Sequence, residues 1–212
     1  MLIVPYEAAK VETSAGNSRF ITMLDGADSP ESARRFIASV KRDYPDASHH
    51  VPAFVLGGGK SVTEFCSDDG EPSGTAGRPL LAVLKGSGLG NTVIVVTRYF
   101  GGTLLGTGGL LKAYSDAGRA VLAVTKRAQL VETLRISFVS SYPLFDRVRI
   151  LAQEHGVNTI GEDFAENISL VMDVATSDYE ALCSSLAEIS SGSIIPTIEK
   201  KILAARLITG DQ

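Results

Sequence analysis

Residues 91–124 read NTVIVVTRYFGGTLLGTGGLLKAYSDAGRAVLAV, and this stretch organises the first half of the chain. From Val93 to Val96 the apolar run is unbroken, where a strand with one wet face would alternate, so the segment is expected at the centre of a sheet covered on both faces. It delivers Arg98, Tyr99 and Phe100 to a turn rich in glycine: Gly101, Gly102, Gly106, Gly108 and Gly109. Leu110, Leu111, Tyr114, Ala117, Val121 and Val124 then recur at helical spacing. A strand, a glycine turn and a helix N-terminus beside an arginine suit a phosphate cradle, with free amides and no side chains in the way. The segment is not a Walker A loop, because Lys112, the lysine after the glycines, lies inside the helix. The competing structural reading is that the glycines permit tight packing or positive φ while Arg98 pairs internally with an acid.

That acid is sought in residues 66–79, CSDDGEPSGTAGRP, which place Asp68, Asp69 and Glu71 within four positions. At roughly 6 Å each like-charge pair costs about 0.7 kcal/mol in water, so something compensates. One reading is a divalent-cation site or an acid/base pair. A second is a turn whose acids cap a helix beginning near Ser73 to Ala76. A third is a loop that binds an anion or a partner. Arg98 and Arg78 are the cations at hand, and Arg98 is expected within hydrogen-bonding distance of at least one of the three carboxylates. Ser67, Ser73 and Thr75 lack a Gly-x-Ser-x-Gly elbow, so no catalytic nucleophile is assigned. His49 and His50 enter a predicted strand and should face opposite sides of it; His49 is kept as a candidate contact.

Around this centre, residues 17–24 (NSRFITML) predict a strand, and Ser29-Pro30-Glu31 predicts a helix start followed by Ala33, Phe36, Ile37, Val40 and Tyr44 on one face, ending before Pro45. Residues 47–65 predict two strands joined at Gly57-Gly58-Gly59. Glycine thins after Gly118 and the charge changes: residues 1–130 carry net +2 and residues 131–212 net −6. A boundary is placed near 128–133, giving domains of 1–130 and 131–212. The second half reads strand, helix, strand, strand, helix, strand, the split βαβ or ferredoxin-like order. Its strand faces Leu134, Ile136, Ile168, Leu170 and Met172 are apolar, while Arg135, Ser137, Ser169, Val171 and Asp173 opposite are mostly polar. A monomer or weak dimer is therefore expected.

With 212 residues, 44% hydrophobic and 21% charged, the chain has the composition of a globular protein able to bury a core. No apolar run is long enough to span a bilayer, and the N-terminal apolar stretch is short and broken by Pro5, so no membrane association is expected and a cytoplasmic location is. Cys66 and Cys183 have no companion at metal-ligand spacing; neither a disulfide nor a metal site nor a cofactor is expected. Any anionic partner is expected on the first half.

Residues 67–79 (SDDGEPSGTAGRP), followed by residues 95–114 (VVTRYFGGTLLGTGGLLKAY), together with Ser18 to Ile21 and Ala47 to His49, resemble the Impact family in its bacterial two-domain form. The resemblance implies an α+β protein of two domains. The N-terminal α/β domain would be similar to the second domain of a small-subunit ribosomal protein, and the C-terminal ferredoxin-like domain to the fifth domain of elongation factor G. Eukaryotic relatives regulate translation by binding the ribosome-associated activator of a kinase. Only a short run precedes Asn17 here, where they carry an added interaction domain, so kinase inhibition is not carried over. The implied function is a non-enzymatic binding protein acting in translation regulation, with RNA, the ribosome or a translation factor as partner. The alternative is a metal-dependent hydrolase or phosphoryl-transfer enzyme using Asp68, Asp69 and Glu71. The candidate binding face comprises His49, Asp68, Asp69, Glu71, Ser73, Thr75, Arg78, Arg98, Tyr99, Phe100, Gly101, Gly102, Gly108 and Gly109.

Overall fold

A computed structural model describes residues 2–58 and 61–208. The chain divides into two compact units, the first running to Leu130 and including the chain from Ala205, the second spanning Val131–Ala204.

The first unit opens with two strands that the sequence did not announce, β1 (Leu2–Pro5) and β2 (Ala9–Ala15), followed by β3 (Ser18–Gly26). Helix α1 (Pro30–Asp43) begins at the expected place: Ser29 accepts from the Ser32 amide and Ser32 returns a bond to the Ser29 amide, a reciprocal cap with proline in the first turn. Strands β4 (His49–Gly58) and β5 (Ser61–Cys66) form the expected hairpin; Gly59, predicted in its turn, lies outside the described residues. Helix α2 (Gly77–Gly86), strand β6 (Thr92–Tyr99) and helix α3 (Gly106–Val124) complete the unit, together with the start of β7 (Arg127–Ser140), on which β1 pairs from Leu2↔Leu130 to Pro5↔Arg127.

The main sheet has the order β2-β3-β6-β4-β5, every neighbour antiparallel, so β6 is central as expected. Its residues from Thr92 to Arg98 are all buried because both faces are covered. On one face Phe20, Val51, Ala53, Ile94 and Val96 pack against Leu80, Leu84, Leu110, Tyr114 and Val121 of α2 and α3. On the other, Phe54, Leu56 and Val93 pack against Ala33 of α1, with Phe36 and Ile37 beside them. The period of two in β4 sends His49 and His50 to opposite faces.

In the second unit β7 continues into α4 (Tyr142–Glu154), β8 (Asn158–Phe164), β9 (Ile168–Ala175), α5 (Tyr179–Ser190) and β10 (Thr197–Leu207). The sheet places β7 between β9 and β10, with β8 outside β9, the arrangement expected of a split βαβ pattern. Leu134, Ile136, Phe138, Ile168, Leu170, Met172 and Val174 form one buried face against Val148, Leu151, Leu182 and Leu186 of the helices. On the opposite face Arg135 grips Asp173 through Nε and Nη2, at 2.7 and 2.8 Å. No helix among the described residues is long and apolar enough to cross a membrane.

Candidate functional site

The acidic loop follows β5 and turns back through Asp69 and Gly70, whose φ values of 46° and 89° lie in the left-handed region. Aspartate tolerates that conformation better than most residues, and glycine takes it freely. The turn separates three carboxylates that sequence proximity would crowd.

Asp68 caps α2. Its Oδ1 accepts from the amides of Ala76 and Gly77 at 3.1 and 2.8 Å, and its Oδ2 from Gly74 at 2.8 Å. Burial works to raise its pKa, but the Gly74, Gly77 and Ala76 amides outweigh it, and the carboxyl is held below its ordinary value; the charge of Arg78 adds to this. A Cβ at Gly77 would sit 2.6 Å from the Ser67 carbonyl oxygen, so the helix starts where the loop backbone presses on it. Asp69 turns toward α1 instead, with Oδ1 2.8 Å from Lys41 Nζ and Oδ2 2.7 Å from the His50 amide. Burial again opposes ionisation, and Lys41 with the His50 amide reverses it, so this carboxyl too is lowered. Glu71 points inward, its side chain only 3% exposed, and its Oε1 accepts from Arg98 Nη1 and from the Tyr114 hydroxyl, each at 2.7 Å.

The expected pairing of Arg98 with a carboxylate is therefore formed, and Glu71 is the partner. Arg98 Nη2 donates to Ser18 Oγ at 3.0 Å, and the guanidinium carbon lies 5.5 Å from the ring centroids of both Phe20 and Phe100. Nε is sealed without a partner. Burial, then the Glu71 carboxylate, pushes the Tyr114 phenol far above its usual value, so it stays a hydrogen-bond donor. His49 Nδ1 lies 2.9 Å from the Asp69 carbonyl oxygen. A carbonyl can only accept, which assigns the proton to Nδ1 and leaves Nε2 with its lone pair in the neutral ring, 3.8 Å from Glu71 Oε1.

Above this floor opens a cavity of about 380 Å³ walled by Phe100, Leu104, Leu105 and Leu110, with Gly106 and Thr107 at one side. Phe100 and Leu104 are exposed at its rim. Glycine content places Gly101 to Gly109 in a turn before the helix; the structure takes Gly106, Gly108 and Gly109 into the first turn of α3. No side chain among the described residues caps this end of the helix, and Gly106, Thr107 and Gly108 are exposed, which leaves the first amides of α3 without a side-chain partner there.

Two expectations are corrected here. The three acids take separate partners, and among the described residues no group of three His, Cys, Asp or Glu side chains is placed to hold a metal ion, so the alternative enzyme lacks its ligand set. The phosphate cradle also loses its cation, since both Nη atoms of Arg98 are committed internally and Nε is sealed.

Other candidates scatter. Tyr99 lies on the opposite sheet face, its hydroxyl donating to Asp46 at 2.9 Å and its ring beneath Arg19. Thr75 is buried and gives its hydroxyl to the Pro72 carbonyl at 2.6 Å, a turn bond, while Ser73 and Arg78 are exposed. Gly101 lies against the Asn17 carbonyl, where a Cβ would collide, and Gly102 takes a φ of 82°. His50 is buried, with Nε2 2.9 Å from the Tyr44 carbonyl oxygen. Ser18, Phe20, Leu104 and Tyr114 were not among the sequence candidates. Ser18 and Phe20 lie in the 18–21 stretch and Leu104 and Tyr114 in the 95–114 stretch of the family resemblance, and Tyr114 also stands out as the one polar-tipped side chain in an otherwise apolar helical stripe.

Comparison with known proteins agrees with the motifs. Residues 16–122 match the Impact N-terminal domain family, and residues 140–193 match a family described as a domain of unknown function (DUF1949). An Impact family member of Haemophilus influenzae is 38% identical over 194 residues, covering 91% of this chain and 94% of that one. YigZ of Escherichia coli, also named an Impact family member, is 35% identical over 193 residues, covering 91% and 95%. A solved crystal structure titled only as a hypothetical protein superposes with a TM-score of 0.59 at 36% identity, covering 94% of this chain and 97% of that one. The loop, ion pair and glycine turn of this chain thus lie within the stretch that the Impact N-terminal domain family matches, and the chain belongs to the Impact family, in the two-domain form.

Proposed function

We propose that the protein is a non-enzymatic binding protein acting in translation or its regulation in the cytoplasm, and that the cavity face of the first unit contacts RNA, alone or within the ribosome. The observation that carries the reading is the combination of a rigid, internally satisfied floor with an open rim. Glu71, Arg98 and Tyr114 hold one another in place, so the floor has a fixed shape, while Phe100 and Leu104 are exposed at the rim and no side chain among the described residues caps α3. A preformed cavity with apolar walls and a few fixed polar groups suits recognition. The resemblance to a family whose eukaryotic members regulate translation supplies the setting. The net +2 charge of residues 1–130 and the helix N-terminus both favour an anionic partner there.

Ribosome co-sedimentation and RNA gel shifts at low salt test this. The wild-type protein is expected to associate, and the double substitution Phe100→Ala with Leu104→Ala, confined to exposed side chains, is expected to release it. Absence of wild-type association with ribosomes and with RNA alike overturns the reading.

A further inference from the structure

The cavity floor presents hydrogen-bond acceptors, and this narrows what it takes. All the contacts described for Glu71 use Oε1; Oε2 has no partner among the described residues and, unlike Arg98 Nε, is not sealed from solvent. With Nδ1 donating to the Asp69 carbonyl, the neutral tautomer of His49 presents the lone pair of Nε2 to the same floor. Glu71 and His49, whose Nε2 lies 3.8 Å from Glu71 Oε1, thus both line a cavity whose rim holds a half-exposed aromatic ring, Phe100. A ligand that displaces water from these acceptors without returning its hydrogen bonds leaves them buried and unsatisfied, which is costly, so the fitting ligand brings donors. A second cation gains little there, because Arg98 already neutralises Glu71. A neutral, flat group with two adjacent N–H donors satisfies both acceptors and stacks on Phe100.

Resting on the RNA-contact reading above, we propose that this cavity receives a single guanine base. Guanine presents N1–H and the N2 amino group next to each other on its Watson–Crick edge. Adenine and cytosine pair one amino group with a ring nitrogen acceptor, and uracil flanks its one imino donor with two carbonyls, so each of them sets an acceptor against Glu71 or His49. Cavity size agrees: about 380 Å³ lies within the range of small-ligand sites and accommodates a purine. The N-terminal residues of α3 at Gly106 and Thr107 line the same cavity, and their amides suit the phosphate of that nucleotide.

The experiment is a titration, by fluorescence anisotropy or calorimetry, of the full chain with the RNA heptamers UUUGUUU, UUUIUUU (I, inosine), UUUAUUU and U₇, and separately with 5′-GMP, 5′-UMP and inorganic phosphate. The guanine heptamer is expected to bind at least about tenfold tighter than the adenine and all-uracil ones, with inosine, which lacks the N2 amino group, in between. Phe100→Ala is expected to lower guanine-heptamer affinity by about tenfold or more through loss of one base stack. Glu71→Gln is expected to flatten the guanine preference, and Phe100→Ala carries the test if that buried variant fails to fold. Preference for 5′-GMP over 5′-UMP without a preference among heptamers supports guanine recognition and assigns the source to a free nucleotide. Equal affinity across all heptamers and both nucleotides, or a preference for adenine, overturns the proposal. Ribosome association that persists alongside such equality leaves the translation reading standing, so the two fail separately. Binding of inorganic phosphate equal to that of 5′-GMP likewise overturns it, by reducing the site to the helix N-terminus.

Discussion

Arg98→Ala removes one partner of an ion pair whose side chains are 5% and 3% exposed. Breaking a buried pair in this way costs about 3–5 kcal/mol, because the surviving charge is stranded. Glu71 would keep the Tyr114 hydroxyl and the solvent contact of Oε2, which places the loss near the lower end, about 3 kcal/mol. Ser18 Oγ also loses its donor, and the cation over Phe20 disappears. Lys112→Ala is the matched control: its ion pair with Asp116 joins side chains 77% and 45% exposed, and such a pair contributes under about 0.5 kcal/mol. Two units need not unfold together, so urea melts should be followed through amide signals of Val95 to Thr97, which report the sheet carrying Arg98. At pH 4 the gap between wild type and Arg98→Ala should narrow, because a proton taken up by the stranded carboxylate removes its charge. Equal and small losses for both variants at pH 7 would refute the reasoning.

Asp68 and Asp69 are both held below the ordinary carboxyl value, so the stability they add is present above about pH 4 and is lost as the pH falls through their folded-state values. Asp68→Ala should cost about 1–2 kcal/mol at pH 7 and show a shallower acid-side loss than wild type, read from denaturant midpoints between pH 3 and 7. Gly101→Ala should lower stability by about 2 kcal/mol, since an added Cβ would collide with the backbone of Asn17 and not with the far end of a flexible side chain. Gly108→Ala, in helical conformation with open space around it, should be neutral or stabilising by up to about 1 kcal/mol; thermal melts separate the two glycines. Light scattering at micromolar concentration should give a monomer mass, because the outer face of the second sheet carries the Arg135–Asp173 pair; a stable dimer would contradict this.

What the sequence disclosed followed the strength of its local signals. The apolar run through Val96 placed β6 at the centre, and Ser29-Pro30 located α1 to the residue. β1 is only four residues long, and β2 is an edge strand of half-buried small and polar residues, AKVETSA, so neither stands out against loop. Glycines 106, 108 and 109 argued for a turn on propensity, yet tertiary packing of Leu110 and Tyr114 carries the helix through them. At the site, charge chemistry sufficed to foresee that Arg98 would find a carboxylate. Which of the three it would find was set by the left-handed backbone at Asp69 and Gly70, which sends consecutive acids to different elements and leaves no trace in composition.

The Glu71–Arg98–Ser18–Tyr114 cluster also bears on how the first unit folds. Its bonds join residues 27, 80 and 43 positions apart, so no short segment of chain contains it. Closing such separations costs chain entropy before any bond returns energy, which makes the cluster a late product of folding and ties it to the slow, non-local pairing of β3 with β6. The cavity floor then exists only in chains whose sheet and last helix are both in place. A molecule seated on it binds the folded unit and not its partly folded forms, so occupancy raises the stability of the entire unit by mass action.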